Sequence, residues 1–323
     1  MPNTQPLVSI PILTYNGEKY LREQLDSIFN QSYKNIEVLA FDDGSIDGTI
    51  DILEQYHKSH GLQYTINSTN LGFVKNAQCS LEACRGDFIA PSDQDDIWKP
   101  EKIEKLLEHI GDSVLIYADS STMDEDGTKH DDNYFANRVN LIQGSNPKNF
   151  FFENSVSAHA MLFRKELLKH ALPIPKAFNY HDWWIGFVAA SFGKISLYPD
   201  PLVYYRRHSE QVTKHANDKN YSFWSRVKAS ETRFIKSRQE LIERFQAFAS
   251  LSILSQSNKT VLEDLIKEMR NYQNYLYNKK EEQLLTKHYK EFFYVSKSTP
   301  KKLKRRVRRL SSGIWYYRLK LYT

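Results

Sequence analysis

Three aspartates in four residues, Asp93-Gln94-Asp95-Asp96, are the densest chemical signal in this 323-residue chain. Crowded carboxylates repel one another, so such a run persists where a cation neutralises it. The i, i+2 spacing lets Asp93 and Asp95 approach one hard divalent ion; the plainer alternative is a helix N-cap, where the dipole favours acids. Two more polar clusters, Thr14-Tyr15-Asn16-Gly17 and Asp42-Asp43-Gly44-Ser45, read either as ligand loops or as ordinary Asn-Gly and Asp-Gly turns. All three clusters follow short apolar runs, and in open α/β sheets ligands bind beyond the carboxyl ends of the strands.

The elements that must position these clusters are legible. Val8 to Leu13, Ile36 to Phe41, Gln63 to Asn67, Asp87 to Pro91 and Val114 to Ala118 read as strands. Apolar spacing predicts helices over Glu18 to Asn30, from Asp47 as N-cap to His57, over Phe73 to Ala83, and from near Pro100. Short apolar runs alternating with helices predict an α/β fold with a mostly parallel, Rossmann-like sheet. Eleven of the twelve glycines lie before residue 194, and residues 202–299 contain neither Gly nor Pro. Turn-rich structure should therefore give way to long helices after this point, with a break at Ser255 to Asn258.

With the order of clusters established, a family resemblance emerges. Val8-Ser9-Ile10-Pro11-Ile12-Leu13-Thr14-Tyr15-Asn16-Gly17 and Leu25-Asp26-Ser27-Ile28-Phe29-Asn30-Gln31-Ser32-Tyr33 resemble the opening of the family-2 glycosyltransferases of GT-A fold. Asp42-Asp43-Gly44-Ser45-Ile46-Asp47-Gly48-Thr49, Asn70-Leu71-Gly72 and Gly86-Asp87-Phe88-Ile89 continue the match, and Ser92-Asp93-Gln94-Asp95-Asp96-Ile97-Trp98 occupies the DxD metal position. The resemblance covers residues 7–210. It implies an inverting transfer that depends on Mn²⁺ or Mg²⁺. Thr14, Tyr15 and Asn16 would line the nucleotide-sugar site, with the Tyr15 ring and the Asp43 carboxylate on the base. Asp93 would face ribose or metal, Asp95 would ligate the metal, and His208 would add a metal or diphosphate ligand. Asp182 would be the general base. Trp183, Trp184 and His159, with Arg164, would border the acceptor. Competing expectations are Tyr15 as a packed aromatic, His208 as a surface histidine, Asp182 as an N-cap, and both tryptophans as core.

The segments His181-Asp182-Trp183-Trp184 and Pro201-Leu202-Val203-Tyr204-Tyr205-Arg206-Arg207-His208 resemble the rhamnosyltransferase branch. That implies transfer of L-rhamnose from dTDP-β-L-rhamnose to a hydroxyl of a lipid-linked or polysaccharide acceptor in cell-surface glycan synthesis. The alternative is another donor, such as UDP-glucose or UDP-galactose. The latter half has no Gln-x-x-Arg-Trp motif, which processive members carry, so addition of one or a few sugars is expected.

Charge is unevenly spread. Residues 297–323 hold ten of the 44 Lys and Arg and no acid, so the rest of the chain, with 39 acids, is mildly negative. Leu303, Val307, Leu310, Ile314, Tyr317 and Leu321 recur every three or four residues among these cations, with Trp315, Tyr316 and Tyr322 near the end. This pattern predicts a basic amphipathic helix at a membrane interface. The expected division is a GT-A catalytic domain over 1–215, a helical region over 216–296 and a membrane-associating tail over 297–323. Without a signal peptide or spanning segment, the expected location is cytoplasmic, at the inner face of the cell membrane. Cys79 and Cys84 would fall on different faces of one helix and are expected as two buried thiols. An assembly of identical chains is left open. Two other readings compete. A sugar nucleotidyltransferase would need a Gly-rich basic loop after the first strand, which Thr14 to Gly17 does not supply. A nucleic-acid-binding protein acting through the tail is disfavoured by the acidic body, so no nucleic acid is expected as partner.

Overall fold

The computed structural model describes residues 5–208, 223–271 and 277–313. The chain divides into two units, residues 1–145 with 154–211 and residues 146–153 with 212–323.

In the first unit β1 (Val8–Thr14), β2 (Ile36–Asp42) and β3 (Gln63–Ile66) alternate with α1 (Leu21–Phe29), α2 (Thr49–His60) and α3 (Phe73–Ala83). There follow β4 (Phe88–Ile89), β5 (Ile97–Trp98), α4 (Lys102–His109), β6 (Leu115–Tyr117), β7 (Ser120–Met123) and β8 (Met161–Arg164). The unit closes with α5 (Leu168–Ala171), α6 (His181–Phe192), β9 (Ile195–Leu197) and β10 (Val203–Arg206). The main sheet has the order β3-β2-β1-β4-β8-β6-β9 and is parallel except at β8, which runs antiparallel to both neighbours. A smaller sheet joins β5, β10 and β7. This is the α/β architecture expected from the alternation of apolar runs and helices.

Val8, Ile10 and Ile12 of β1 are fully buried, as are Leu21, Leu25 and Ile28 on one face of α1. A central parallel strand is covered on both faces, which is why it reads as a nearly continuous apolar run. β4 is short, but Ser92 still pairs with Ile12 and donates its N–H to the Pro11 carbonyl (2.9 Å), carrying the chain alongside β1 as far as the acidic cluster. The first helix begins later than expected, because the Glu18 carboxylate accepts the Gly48 N–H (2.9 Å) and residues 18–20 form a turn.

The second unit contains α7 (Phe223–Ser250), α8 (Gln256–Arg270), α9 (Lys279–Lys287), α10 (Tyr289–Phe292) and α11 (Pro300–Leu310). Ser255 caps α8, its hydroxyl accepting the Asn258 N–H. Phe245, Phe248, Leu262, Leu265 and Met269 are buried at helical spacing. Residues 146–153 group with these helices, contrary to the expected single boundary, because Phe151 and Phe152 pack on Phe245 and Phe292 at centroid distances of 5.2–6.1 Å. A buried ion pair, Arg238 Nη2 to Glu281 Oε2 at 2.5 Å, joins α7 to α9. Other donors of the same guanidinium reach the Met269 and Leu310 carbonyls.

Two expectations need correction. Cys84 is buried but Cys79 is half-buried, and both are free thiols. The expected tail is not separate from the helices before it: Val307 of α11 is 5% exposed, and Ser311 accepts the Asn278 N–H through its carbonyl. Ile314, Trp315, Tyr316, Tyr317, Leu321 and Tyr322 lie outside the described residues. Among the described residues no helix is long and apolar enough to cross a membrane.

Candidate active site

β1 and β2 end in register, Thr14 opposite Asp42, so the loops after them emerge side by side. Asp42 is buried and saturated with donors. Its Oδ1 accepts the N–H groups of Gly44 and Ser45 (3.0 and 2.8 Å), and Oδ2 accepts the hydroxyls of Thr14 and Ser45 (2.9 and 2.5 Å). Thr14 was expected at the nucleotide sugar, but at 2% exposure with its hydroxyl on Asp42 it shapes the turn instead. Asn16 braces the two loops, donating its N–H to Ser45 Oγ (2.8 Å) and accepting the Ile46 N–H (2.9 Å) from a left-handed conformation. The Gln94 amide bonds both the N–H and the carbonyl of Tyr15 (2.9 and 3.1 Å), holding that backbone while the residue stays 49% exposed. A Cβ on Gly17 would collide with this amide.

The Asp43 carboxylate accepts the N–H groups of Leu71 and Gly72 (2.7 and 2.8 Å) and the Asn67 amide (2.9 Å). It thereby fastens the loop leading into α3, where Gly72 takes a positive φ of 81°. A carboxylate has about four acceptor positions, so these three donors leave about one.

The acidic cluster is built differently. Asp96 is fully buried; its Oδ1 accepts the Arg206 N–H (3.1 Å), and its Oδ2 has no hydrogen-bond partner. Burial, then the charges of Asp95 and Asp93, push the Asp96 carboxyl well above its usual range. Asp93 keeps 32% of its side chain accessible, yet burial and the charges of Asp95 and Asp182 push it up to about 7. Asp95 Oδ2 lies 2.9 Å from His208 Nε2, so the structure brings together the two expected metal ligands. A second ligand-type set, Asp93, Asp96 and His159, offers atoms within 4.8 Å of one another. An orphaned buried oxygen beside mutually repelling carboxylates and imidazole nitrogens suits a hard divalent cation.

His159 does not border an acceptor. It is 5% exposed, stacked on Tyr205 at 5.1 Å, with Nε2 at 2.9 Å from the Ser120 hydroxyl. Burial, with the Lys102 charge, pushes it down to about 3. Lys102 is itself fully buried, donating to the His159 carbonyl (2.6 Å) with its amine over the Trp98 ring. Arg206, 1% exposed, clamps the cluster from behind: Nε donates to the Asp95 carbonyl (2.9 Å) and Nη2 to Glu23 (2.6 Å).

Asp182 sits in the first turn of α6. Burial pushes it up to about 7, against the backbone N–H groups of Trp183 and Ala158, which hold it down. A carboxyl poised near neutrality suits proton abstraction. Trp183 is half-buried. Trp184 belongs to the core: it is 3% exposed and its indole N–H donates to the Ala171 carbonyl (2.7 Å), which rules it out as an acceptor platform.

A model of the Glycosyl transferase family 2 matches residues 9–172, more than half of the chain. The chain belongs to this family. Over 277 residues it is 28% identical to an uncharacterised glycosyltransferase of Haemophilus influenzae, spanning 82% of this chain and 85% of that one. It is 35% identical over 134 residues to the provisionally named teichuronic acid biosynthesis glycosyltransferase TuaG of Bacillus subtilis, 41% of this chain and 53% of that one. S. aureus TarS 1–349, solved in complex with UDP-GlcNAc, shares the fold with a TM-score of 0.59 at 18% identity, covering 96% of this chain and 89% of that one.

In this family-2 glycosyltransferase, residues that sequence reasoning passed over hold the site together. Nothing in the sequence marks Gln94 beyond its place between two acids. Arg206 was indistinguishable from Arg207 in the sequence, yet one is buried and the other exposed. Asp96 was counted in the acidic run but not as a ligand. The only available signal for Lys102 was a lysine at the start of a helix just beyond that run.

Proposed function

We propose that this glycosyltransferase inverts the donor anomeric centre, with Asp182 as general base and Asp95, His208 and Asp93 around a divalent cation. The observation that carries the reading is the cluster itself: Asp95 Oδ2 lies 2.9 Å from His208 Nε2, Asp93 offers a ligand atom beside Asp96 and His159, and Asp182 stands in the first turn of α6. Asp93 and Asp95 remain partly accessible, whereas Asp96 and His159 are sealed. The accessible pair with His208 is the side offered to the incoming diphosphate, and the orphaned Asp96 oxygen behind it adds negative charge toward the cation. The bound cation would offset the negative charge that grows on the leaving diphosphate.

The Tyr15 ring and the open acceptor position of Asp43 receive the base. Asp182 takes the proton of the acceptor hydroxyl as its oxygen bonds the anomeric carbon. The bond to the diphosphate oxygen breaks on the opposite face, the nucleoside diphosphate departs, and the proton later passes from Asp182 to water. Trp183, next to the base, lines the acceptor side.

L-Rhamnose from dTDP-β-L-rhamnose is the preferred donor, on the strength of the His181 to Trp184 and Pro201 to His208 segments. UDP-linked donors are the second reading, because TarS was solved with UDP-GlcNAc. TuaG, named for teichuronic acid biosynthesis, supports cell-surface polysaccharide synthesis as the setting; the acceptor in this reading is a lipid-linked or glycan hydroxyl at the inner membrane face. The test is turnover of purified protein against a set of nucleotide sugars with Mn²⁺ or Mg²⁺, followed by NMR of the product linkage. Inversion with dTDP-rhamnose is expected. Retention of configuration would discard Asp182 as the base, and turnover with UDP-sugars alone would discard rhamnose.

A further inference from the structure

The Arg- and Lys-rich helix α11 is folded in a way that its sequence pattern does not anticipate. Thr299 caps it through its hydroxyl, Pro300 occupies the first turn, and the helix carries no acid. Its i, i+3, i+4, i+7 stripe of Leu303, Arg306, Val307 and Leu310 is turned into the second unit. Val307 is buried, and Leu303, Arg306 and Leu310 are half-buried. Arg306 pairs with Glu153 and lies 4.6 Å from the Phe293 ring centroid, while the Leu310 carbonyl accepts from Arg238. The described apolar stripe is therefore already covered by protein. An amphipathic helix inserting into lipid needs that same stripe free.

What remains outward is charge alone. Lys301, Lys302, Lys304, Arg305, Arg308 and Arg309 are all exposed, and none forms an ion pair among the described residues. Six cations on one short helix, fixed to a folded unit, make a rigid basic face rather than a loose tail.

We infer that this face docks the enzyme electrostatically on an anionic lipid surface while α11 stays seated, its stripe unavailable for insertion. The inference deepens the proposed membrane setting and rests on it for the choice of a membrane over another polyanion. Two features of the molecule favour lipid. No aromatic interleaves these cations to stack on bases. The residues beyond Leu310 include Trp315, Tyr316, Tyr317 and Tyr322, the side chains enriched at headgroup level.

Docking by charge and docking by insertion differ in salt dependence. Each cation near an anionic leaflet contributes about a fivefold gain in binding constant, and added salt screens it. The full chain is tested by co-sedimentation with phosphatidylcholine vesicles and with vesicles also containing phosphatidylglycerol. Wild type should bind only the anionic vesicles and be released at molar salt. A variant with Lys301→Gln, Lys302→Gln, Lys304→Gln, Arg305→Gln, Arg308→Gln and Arg309→Gln should bind at least about a hundredfold more weakly. Its hydrolysis of the nucleotide sugar should be unchanged, so loss of docking and failure of the catalytic reading are told apart. If that variant melts lower than wild type, the three Lys and three Arg changes made separately carry the test, each weakening binding by about tenfold or more. Exchange of the three Lys for Arg should bind as wild type does. Binding that survives molar salt, binding to neutral vesicles, or equal binding by the Gln variant overturns the inference. So does a preference for duplex DNA over anionic vesicles at matched salt.

Discussion

Asp42 and Asp96 flank β1 on its two sides, one at the end of β2 and the other just past the stretch that continues β4, yet the fold supplies them very differently. The Asp42 carboxylate accepts two backbone N–H groups and two hydroxyls, and its neighbour Asp43 accepts three donors. Asp96 has one oxygen with no partner, and no hydrogen bond reaches the Asp93 carboxylate among the described residues. Burial and mutual repulsion then push both acids towards the protonated form. Saturated carboxylates fix backbone geometry. Carboxylates left short of donors hold affinity in reserve for something positive, because a buried unpaired charge is costly. The difference separates architecture from function among residues of one chemical type on one sheet edge.

The contrast can be broken from either side. The largest effect is expected at Asp182, the acid whose charge bears on the donor-poor pair. Asp182→Asn keeps the side-chain shape but cannot take a proton, so turnover should fall by roughly 10² to 10⁴ with donor affinity nearly unchanged. A near-normal rate would make Asp182 a helix-capping residue. On the saturated side, Asp42→Ala should cost about 2 to 3 kcal/mol in denaturant unfolding, because buried donors in both loops lose their acceptor. A variant as stable as wild type would show that the turn holds without its carboxylate.

A smaller effect concerns pH. The folded protein holds the Asp182 proton up to about 7, whereas an unfolded chain releases it near the ordinary carboxyl value of 3.8. Folding therefore binds this proton, and stability falls as pH rises between those values, then levels off. Asp182→Asn should be the more stable protein above neutrality, by about 1 kcal/mol once partial exposure is allowed for. Thermal melts of both proteins at acid and alkaline pH measure it, and no gain at alkaline pH would contradict the buried, poised carboxyl. The wild-type rate should climb through neutrality as the base ionises.

How much of this was legible follows the same division. Strands and ligand loops show in the sequence because apolar runs and turn residues are local signals. The carboxylate run was visible because crowding is itself a local property. What a side chain faces is not local. Thr14 and Tyr15 are neighbours, yet one is buried with its hydroxyl on Asp42 and the other is open to solvent. Trp183 and Trp184 differ in the same way through the turn of α6. Leu303, Val307 and Leu310 show in the sequence as one face, but not that this face is turned into the second unit, where Arg306 meets Phe293 and Glu153 and the Leu310 carbonyl meets Arg238. Such assignments depend on partners far away in sequence.

The central claim, that the Asp93 to Asp96 cluster waits for a divalent cation and through it a diphosphate, has a direct measurement. Titration calorimetry of dTDP and UDP into wild type, with Mn²⁺ and then with EDTA, compares affinity with and without the ion. At least one nucleotide should bind about tenfold or more tightly with Mn²⁺, and Asp95→Ala should behave with Mn²⁺ as wild type does with EDTA. Equal nucleotide affinity under both conditions would contradict the claim and leave the acidic cluster without its cation.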